Sequence, residues 1–262
     1  MQQDILAVSP HLDDAVLSAG GHLAALAADE ENWVTVFTVF AGLAAPPYSP
    51  TAQRLHGLMD LTGDPVAERR AEDLAAHAEL GTIARHGRFP DSIYRTRPDG
   101  SWLVGNDPTD EPDGDEPELH RSVVAAIGRL ISELRPAIVL TCAALGGHVD
   151  HVRTRDAVLD AVSHHPGVRL QLWEDLPYGL WAGPGGQPSV LPHDAVPGEP
   201  FAVEVSEEAR EAKYRAIACY RSQHRMLWDD DPDYRARLGR HDAANGGGER
   251  FWDVAFSRAG VR

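Results

Sequence analysis

Lysine is almost missing from this chain. Lys213 stands alone, and arginine supplies the rest of the 24 basic side chains against 40 acidic ones, for a net charge of −16. That balance speaks against nucleic acid or an anionic membrane surface as a partner, because either calls for a basic patch. Cysteine is scarce too: Cys142 and Cys219 make neither a disulfide framework nor a zinc–thiolate spacing, and both read as small buried residues. No apolar run reaches the length of a membrane span, and no basic segment followed by an apolar stretch opens the chain, so the expected location is the cytoplasm. Two glycine signatures are also absent. The turn after the first strand has no G-x-G-x-x-G, and no G-x-S-x-G occurs, which disfavours a nucleotide at that turn and a serine nucleophile.

What is present fits one α/β domain over residues 1–262. Hydrophobic residues make up 43% of the 262, enough for a sizeable core, and no linker divides the sequence. Short apolar runs at Asp4–Val8, Trp33–Phe40, Ala137–Thr141, Val168–Trp173 and Phe201–Val205 read as strands, with a further one near Ile83–Arg88. Helical spacing appears between them, over Asp13–Asp29, Pro65–Leu80 closed by Gly81, Glu118–Leu134 stopped by Pro136, and Val152–Val162. Ser206, with Glu208 soon after, opens a long C-terminal helix through Tyr220. Gly20-Gly21 interrupts the first helix and suits close packing against a sheet. This alternation predicts a Rossmann-like, three-layer fold with a mainly parallel sheet, its site at the carboxyl ends of the strands. An acidic Gly/Pro-rich insertion over about 95–117 (Asp107, Asp110, Glu111, Asp113, Asp115, Glu116) reads as a solvated loop.

The chemistry sits at two strand ends. After the first strand come Ser9-Pro10-His11-Leu12-Asp13-Asp14, and after the Ala137–Thr141 strand come Gly146-Gly147-His148-Val149-Asp150-His151. Singly, each residue has an ordinary explanation: an aspartate at a helix start caps it, and a lone histidine is a turn or core residue. Jointly, two separate strand ends each deliver a His/Asp cluster to the face where ligands bind. Imidazole and carboxylate are natural zinc ligands, and a catalytic site keeps one position open, so four candidates (His11, Asp14, His148, His151) are one too many. One histidine therefore has another task.

The motifs His-x-Asp-Asp (His11–Asp14) and His-x-Asp-His (His148–His151) resemble those of the PIG-L (LmbE-like) family of zinc-dependent N-acyl sugar deacetylases. Gly20-Gly21, Arg69–Asp73, Glu174–Tyr178, Lys213 through Gln223, and Glu249–Phe251 extend the likeness along nearly the whole chain. Leu12 and Val149 stand where proline is frequent in the family, which touches local backbone shape only. The resemblance implies His11, Asp14 and His151 as zinc ligands, Asp13 as general base, and a protonated His148 as oxyanion stabiliser. Asp150 is then expected to orient His148 and hold it charged. Zn2+ is the implied cofactor, with another divalent ion such as Fe2+ as the alternative. Zinc lowers the pKa of water towards about 7 and polarises a carbonyl.

Arg69, Asp91 and Tyr178 are expected to touch the substrate, with Trp181 a further stacking candidate, although Arg69 also reads as an exposed helix arginine and Asp91 as a turn residue. The expected partner is a small N-acylated amino sugar or glycoside, with a homo-oligomer left open. The other histidines read as bystanders. A zinc amidase or esterase acting on a non-sugar substrate is the rival reading, and a binding module without catalysis ranks below it.

Overall fold

A computed structural model describes residues 3–105, 116–182, 186–229 and 231–256. The strands are β1 (Gln3–Ser9), β2 (Asn32–Thr38), β3 (Ile83–His86), β4 (Ile138–Cys142), β5 (Arg169–Trp173), β6 (Ala195–Val203) and β7 (Glu249–Phe256). They form one sheet in the order β3-β2-β1-β4-β5-β7-β6. The first five run parallel, whereas β7 pairs antiparallel with both β5 and β6. The mainly parallel α/β expectation holds.

The helices are α1 (Asp14–Ala27), α2 (Pro50–Leu58), α3 (Pro65–Leu80), α4 (Pro117–Leu134), α5 (Val149–Ser163), α6 (Tyr178–Ala182), α7 (Glu207–Cys219), α8 (Arg221–Trp228) and α9 (Tyr234–Ala244). On one side α1, α3 and α7 pack on each other; α4 and α5 pack together on the other. Helices on both faces explain why β1 and β4 are continuous apolar runs rather than alternating ones. Leu6, Val8, Val139 and Leu140 are all fully buried, each such side chain contributing about 1.5–3 kcal/mol.

Local signals decide most boundaries. Asp64 caps α3 by accepting from Val66 and Ala67 N–H, Pro65 takes the first turn, and Gly81 ends it at φ 72°. Ser206 Oγ accepts from Ala209 N–H and starts α7. The long C-terminal helix, however, breaks at Tyr220. Tyr220 Oη donates to Asp73 Oδ1 at 2.7 Å, and the Ser222 N–H and hydroxyl both bond the Glu72 carboxylate, so α3 turns the chain into α8. The loop after β2 contains α2, whose Ser49-Pro50 start is a cap signature that the proline content obscured. β7 escaped the sequence reading because its first four residues are buried on both faces and show no alternation. β6 begins earlier than Phe201 and carries Pro197 and Pro200 at a register shift, as an edge strand allows.

Gly20-Gly21 packs on α7 and β7. A Cβ at Gly20 would lie 3.0 Å from Lys213 Cγ, and one at Gly21 would lie 3.1 Å from Glu249 Oε1. Lys213 Nζ and Glu249 Oε1, both buried, pair at 2.6 Å, and Glu249 also accepts the Gly21 and His22 N–H groups. Cys142 is buried as expected; Cys219 is only half-buried, at the last residue of α7. Residues 106–115 of the acidic segment lie outside the described residues. Among the described residues no helix is long and apolar enough to cross a membrane.

Candidate active site

The chain leaves β1 for β2 and β3 on one side, then returns to β4 and β5 on the other, so the sheet's switch point lies between β1 and β4. Ligands in such sheets bind at the carboxyl ends beside that point. His11–Asp14 follow β1 and His148–His151 follow β4, which is why residues far apart in sequence meet there.

Asp14 Oδ2 lies 3.2 Å from His11 Nδ1 and 3.3 Å from His151 Nε2. Ligand atoms in a tetrahedral site with bonds of 2.0–2.1 Å are separated by about 3.3 Å, so these two distances match tetrahedral edges. Burial alone would raise the Asp14 carboxyl, but the charge of His151 and the hydrogen bonds of both imidazoles hold it well below its usual range. Burial would likewise lower His11 and His151; neighbouring carboxylates outweigh it, raising His11 well above normal and bringing His151 to about 9. A cluster that favours two protons aimed at one carboxylate oxygen is built for positive charge, and His11, His148 and His151 also bring ring nitrogens within 4.8 Å of one another. The residues fit a metal ion.

Asp13 occupies the N-cap position of α1 yet makes no capping hydrogen bond. It is buried, with Oδ1 3.8 Å from Arg69 Nη2. Desolvation, with Asp14's charge adding to it, pushes its carboxyl up to about 6. Arg69 is half-buried, its side chain 11% exposed, rather than an exposed helix arginine. Its Nη1 is 4.0 Å from Asp91 Oδ2, and its Nε has no hydrogen-bond partner among the described residues. Asp91 Oδ1 caps the 3-10 turn Ser92–Tyr94 by accepting the Ile93 N–H, while Oδ2 lies 3.7 Å from His11 Nε2. The turn role and a place at the site coexist in one residue.

Two expectations about the second motif need correcting. The Asp150 carboxylate makes no hydrogen bond to His148, although its charge favours the protonated ring. It accepts from Arg95 Nη2 at 2.6 Å, from Ser92 N–H at 2.9 Å, and sits 3.2 Å from His11 Nε2. What Asp150 gives His148 is its backbone N–H, donated to His148 Nδ1 at 3.2 Å as the cap of α5. An Nδ1 that accepts leaves Nε2 as the N–H donor of a neutral ring. Burial and the charges of His11 and His151 push His148 down to about 4, so it is neutral near pH 7, not the cation expected.

Asp175 has a part in the site that its sequence segment did not announce. Asp175 Oδ1 bonds His151 Nδ1 at 2.7 Å and Oδ2 accepts the Leu145 N–H. The available signal was its place just past β5, a third strand end beside β4. Arg95 was missed because it lay in a segment without periodicity.

A cavity of about 270 Å³ opens over these groups, with His11, Asp13, Asp14, His148 and His151 among its lining residues. Arg69, Asp91 and Tyr178 line it as well, so all three substrate candidates reach it. Tyr178 meets His151 edge-on at 5.4 Å and Trp181 at 5.5 Å, Trp181 being 60% exposed. A Cβ at Gly146, which has φ 84°, would fall 2.2 Å from the Tyr178 ring, so this glycine lets the tyrosine in. Part of the lining is apolar: Leu55 from α2, Met59 just past its end, and Met226 and Leu227 from α8.

The sequence profile of the PIG-L family, described as GlcNAc-PI de-N-acetylase, matches residues 6–162. This chain belongs to the PIG-L family. Like its relatives it is an enzyme of the deacetylase type, a hydrolase of amide bonds. A curated PIG-L relative, 2'-N-acetylparomamine deacetylase of Streptomyces fradiae, is 33% identical over 97% of this chain and 83% of its own. The fold matches teicoplanin deacetylase Orf2 in its zinc-inhibited form with TM-score 0.87 and 41% identity, covering 98% of this chain and 100% of that one. It matches the A40926 pseudoaglycone deacetylase Dbv21 with TM-score 0.81 and 41% identity, over 99% and 100%.

Proposed function

We propose that this chain removes an N-acetyl or longer N-acyl group from an amino sugar within a larger glycoside, using a zinc ion held by His11, Asp14 and His151. The single observation that carries the reading is the division of labour between adjacent aspartates. Asp14 lies within 3.3 Å of two imidazoles, whereas Asp13 bonds neither and faces the cavity. When bound, such an ion would lower the pKa of water and polarise the amide carbonyl.

The chain's own groups supply the rest. Asp13 takes the proton of the attacking water and passes it to the departing nitrogen, as a carboxyl poised near neutrality can. Water adds to the carbonyl carbon and the C–N bond breaks, giving a carboxylate and a free amine. His148 Nε2–H donates to the carbonyl oxygen as negative charge develops, and a neutral imidazole suffices for that. Arg69 and Asp91 bind sugar hydroxyls, and Tyr178 with Trp181 offers faces for a pyranose. The apolar wall of Leu55, Met59, Met226 and Leu227 suits a substrate with an apolar portion beside the sugar, an aglycone or acyl chain.

A substrate panel with amine detection tests this: N-acetylated aminoglycosides, N-acetylglucosaminides with apolar aglycones, simple amides and carboxylic esters. Turnover concentrated on the acylated amino sugars supports the reading. Preference for esters or non-sugar amides replaces it with the general amidase or esterase alternative.

A further inference from the structure

We propose that Arg95 is a positioning residue that presses Asp150 onto His11 and thereby fixes which nitrogen of His11 faces the ion site. The inference rests on the reading of His11 as a metal ligand.

The geometry runs through one imidazole. His11 Nδ1 is 3.2 Å from Asp14 Oδ2, on the side of the ligand cluster, while Nε2 is 3.2 Å from Asp150 Oδ2. A neutral imidazole carries one N–H, and an ionised carboxylate only accepts, so a bond to Asp150 places the proton on Nε2 and leaves the Nδ1 lone pair for a metal. Histidine ligands commonly have such a carboxylate behind them. In this chain each ligand histidine has its own: Asp175 behind His151, and Asp150 behind His11.

Asp150 is fully buried and depends on what holds it. Arg95 Nη2 contacts Oδ1 at 2.6 Å and supplies the cation that a buried carboxylate requires, while Ser92 N–H fixes Oδ2. Arg95 is itself locked. Its Nε and Nη2 bond the two oxygens of Glu116 at 2.9 and 3.0 Å, Nη1 donates to Pro90 O, and its guanidinium lies 5.0 Å from the Phe40 ring centroid. Arg153, two residues past His151, bonds the same Glu116 at 2.7 Å. Arg95 is not among the residues lining the cavity, and its direct bond to a side chain that bonds His11 is the one to Asp150. A planar fork that serves Glu116 and Asp150 at once is a task lysine cannot duplicate.

The test uses metal-stripped full-length protein and three variants, Arg95→Met, Arg95→Lys and His11→Ala. Zinc affinity is measured by competition with a chromophoric chelator, and the His11 nitrogen that keeps its proton is read from long-range 15N–1H NMR at saturating zinc, because the metal-free ring carries both protons. Arg95→Met is expected to weaken zinc binding about 10–100-fold and to shift His11 towards a mixture of tautomers, with Arg95→Lys in between. If Arg95→Met does not fold, by circular dichroism, Arg95→Lys carries the test alone. A folded Arg95 variant with unchanged affinity and an unchanged Nε2–H tautomer overturns the proposal. If instead His11→Ala binds zinc normally, it is the ligand reading that fails.

Discussion

Asp13 and Arg69 face each other at 3.8 Å in a buried site where Asp13 forgoes the cap that its position offers. Arg69's charge opposes the rise of the Asp13 carboxyl, and burial together with Asp14 still brings it to about 6. A base works in its ionised form, so kcat/KM should rise as the pH goes from 5 to 7. Asp13→Asn should bind metal normally, lose this limb and lower kcat about 10²–10⁴-fold. Metal analysis beside steady-state kinetics checks both halves; loss of metal in Asp13→Asn would make Asp13 a ligand instead.

The two histidines of the second motif should separate cleanly. His148→Ala is expected to keep its metal and lose about 10²–10³ in kcat, the usual cost of removing an oxyanion donor. His151→Ala should lose the metal. Isothermal titration with zinc distinguishes them, and the reverse pattern would exchange their roles.

Asp175→Asn should weaken metal binding about 10–100-fold without moving KM, because it reaches the substrate only through His151. Chelator competition reads the affinity. An unchanged value would mean that the 2.7 Å contact with His151 is structural.

The fold was largely legible in the sequence because parallel strands buried on both faces leave continuous apolar runs, as Ile5–Val8 and Val139–Cys142 do. The two His/Asp motifs were legible because each follows such a run. Less visible was anything decided by tertiary partners. Nothing in the helical spacing around Tyr220 announces the break that Glu72 and Asp73 impose, and nothing in His148-Val149-Asp150-His151 tells that Asp150 turns towards Arg95 and His11. Asp150's sequence neighbour is His148, but the start of α5 sends its carboxylate elsewhere and only its N–H to that ring.

Asp73 lies outside the proposed ligand set and gives a stability prediction. Burial would raise its carboxyl, but hydrogen bonds with His77, His86 and Tyr220 outweigh burial and hold it below the usual carboxylate range. A depressed folded-state value stabilises the fold above the unfolded value of about 3.9, and that stabilisation is lost as pH falls further. Asp73→Asn should therefore lower the urea midpoint at pH 7 and narrow its gap to wild type towards pH 3. A gap independent of pH would mean that Asp73 contributes by packing alone.

The most direct test of the whole account is a Co2+ titration of metal-stripped protein, followed by visible absorption, on wild type and on His11→Ala, Asp14→Ala, His151→Ala and Asp13→Asn. One equivalent bound with the intense bands of low coordination is expected in wild type and Asp13→Asn, and loss of that spectrum in the other three. Tight binding that survives in Asp14→Ala or His151→Ala, or full activity in the metal-stripped protein, would contradict it.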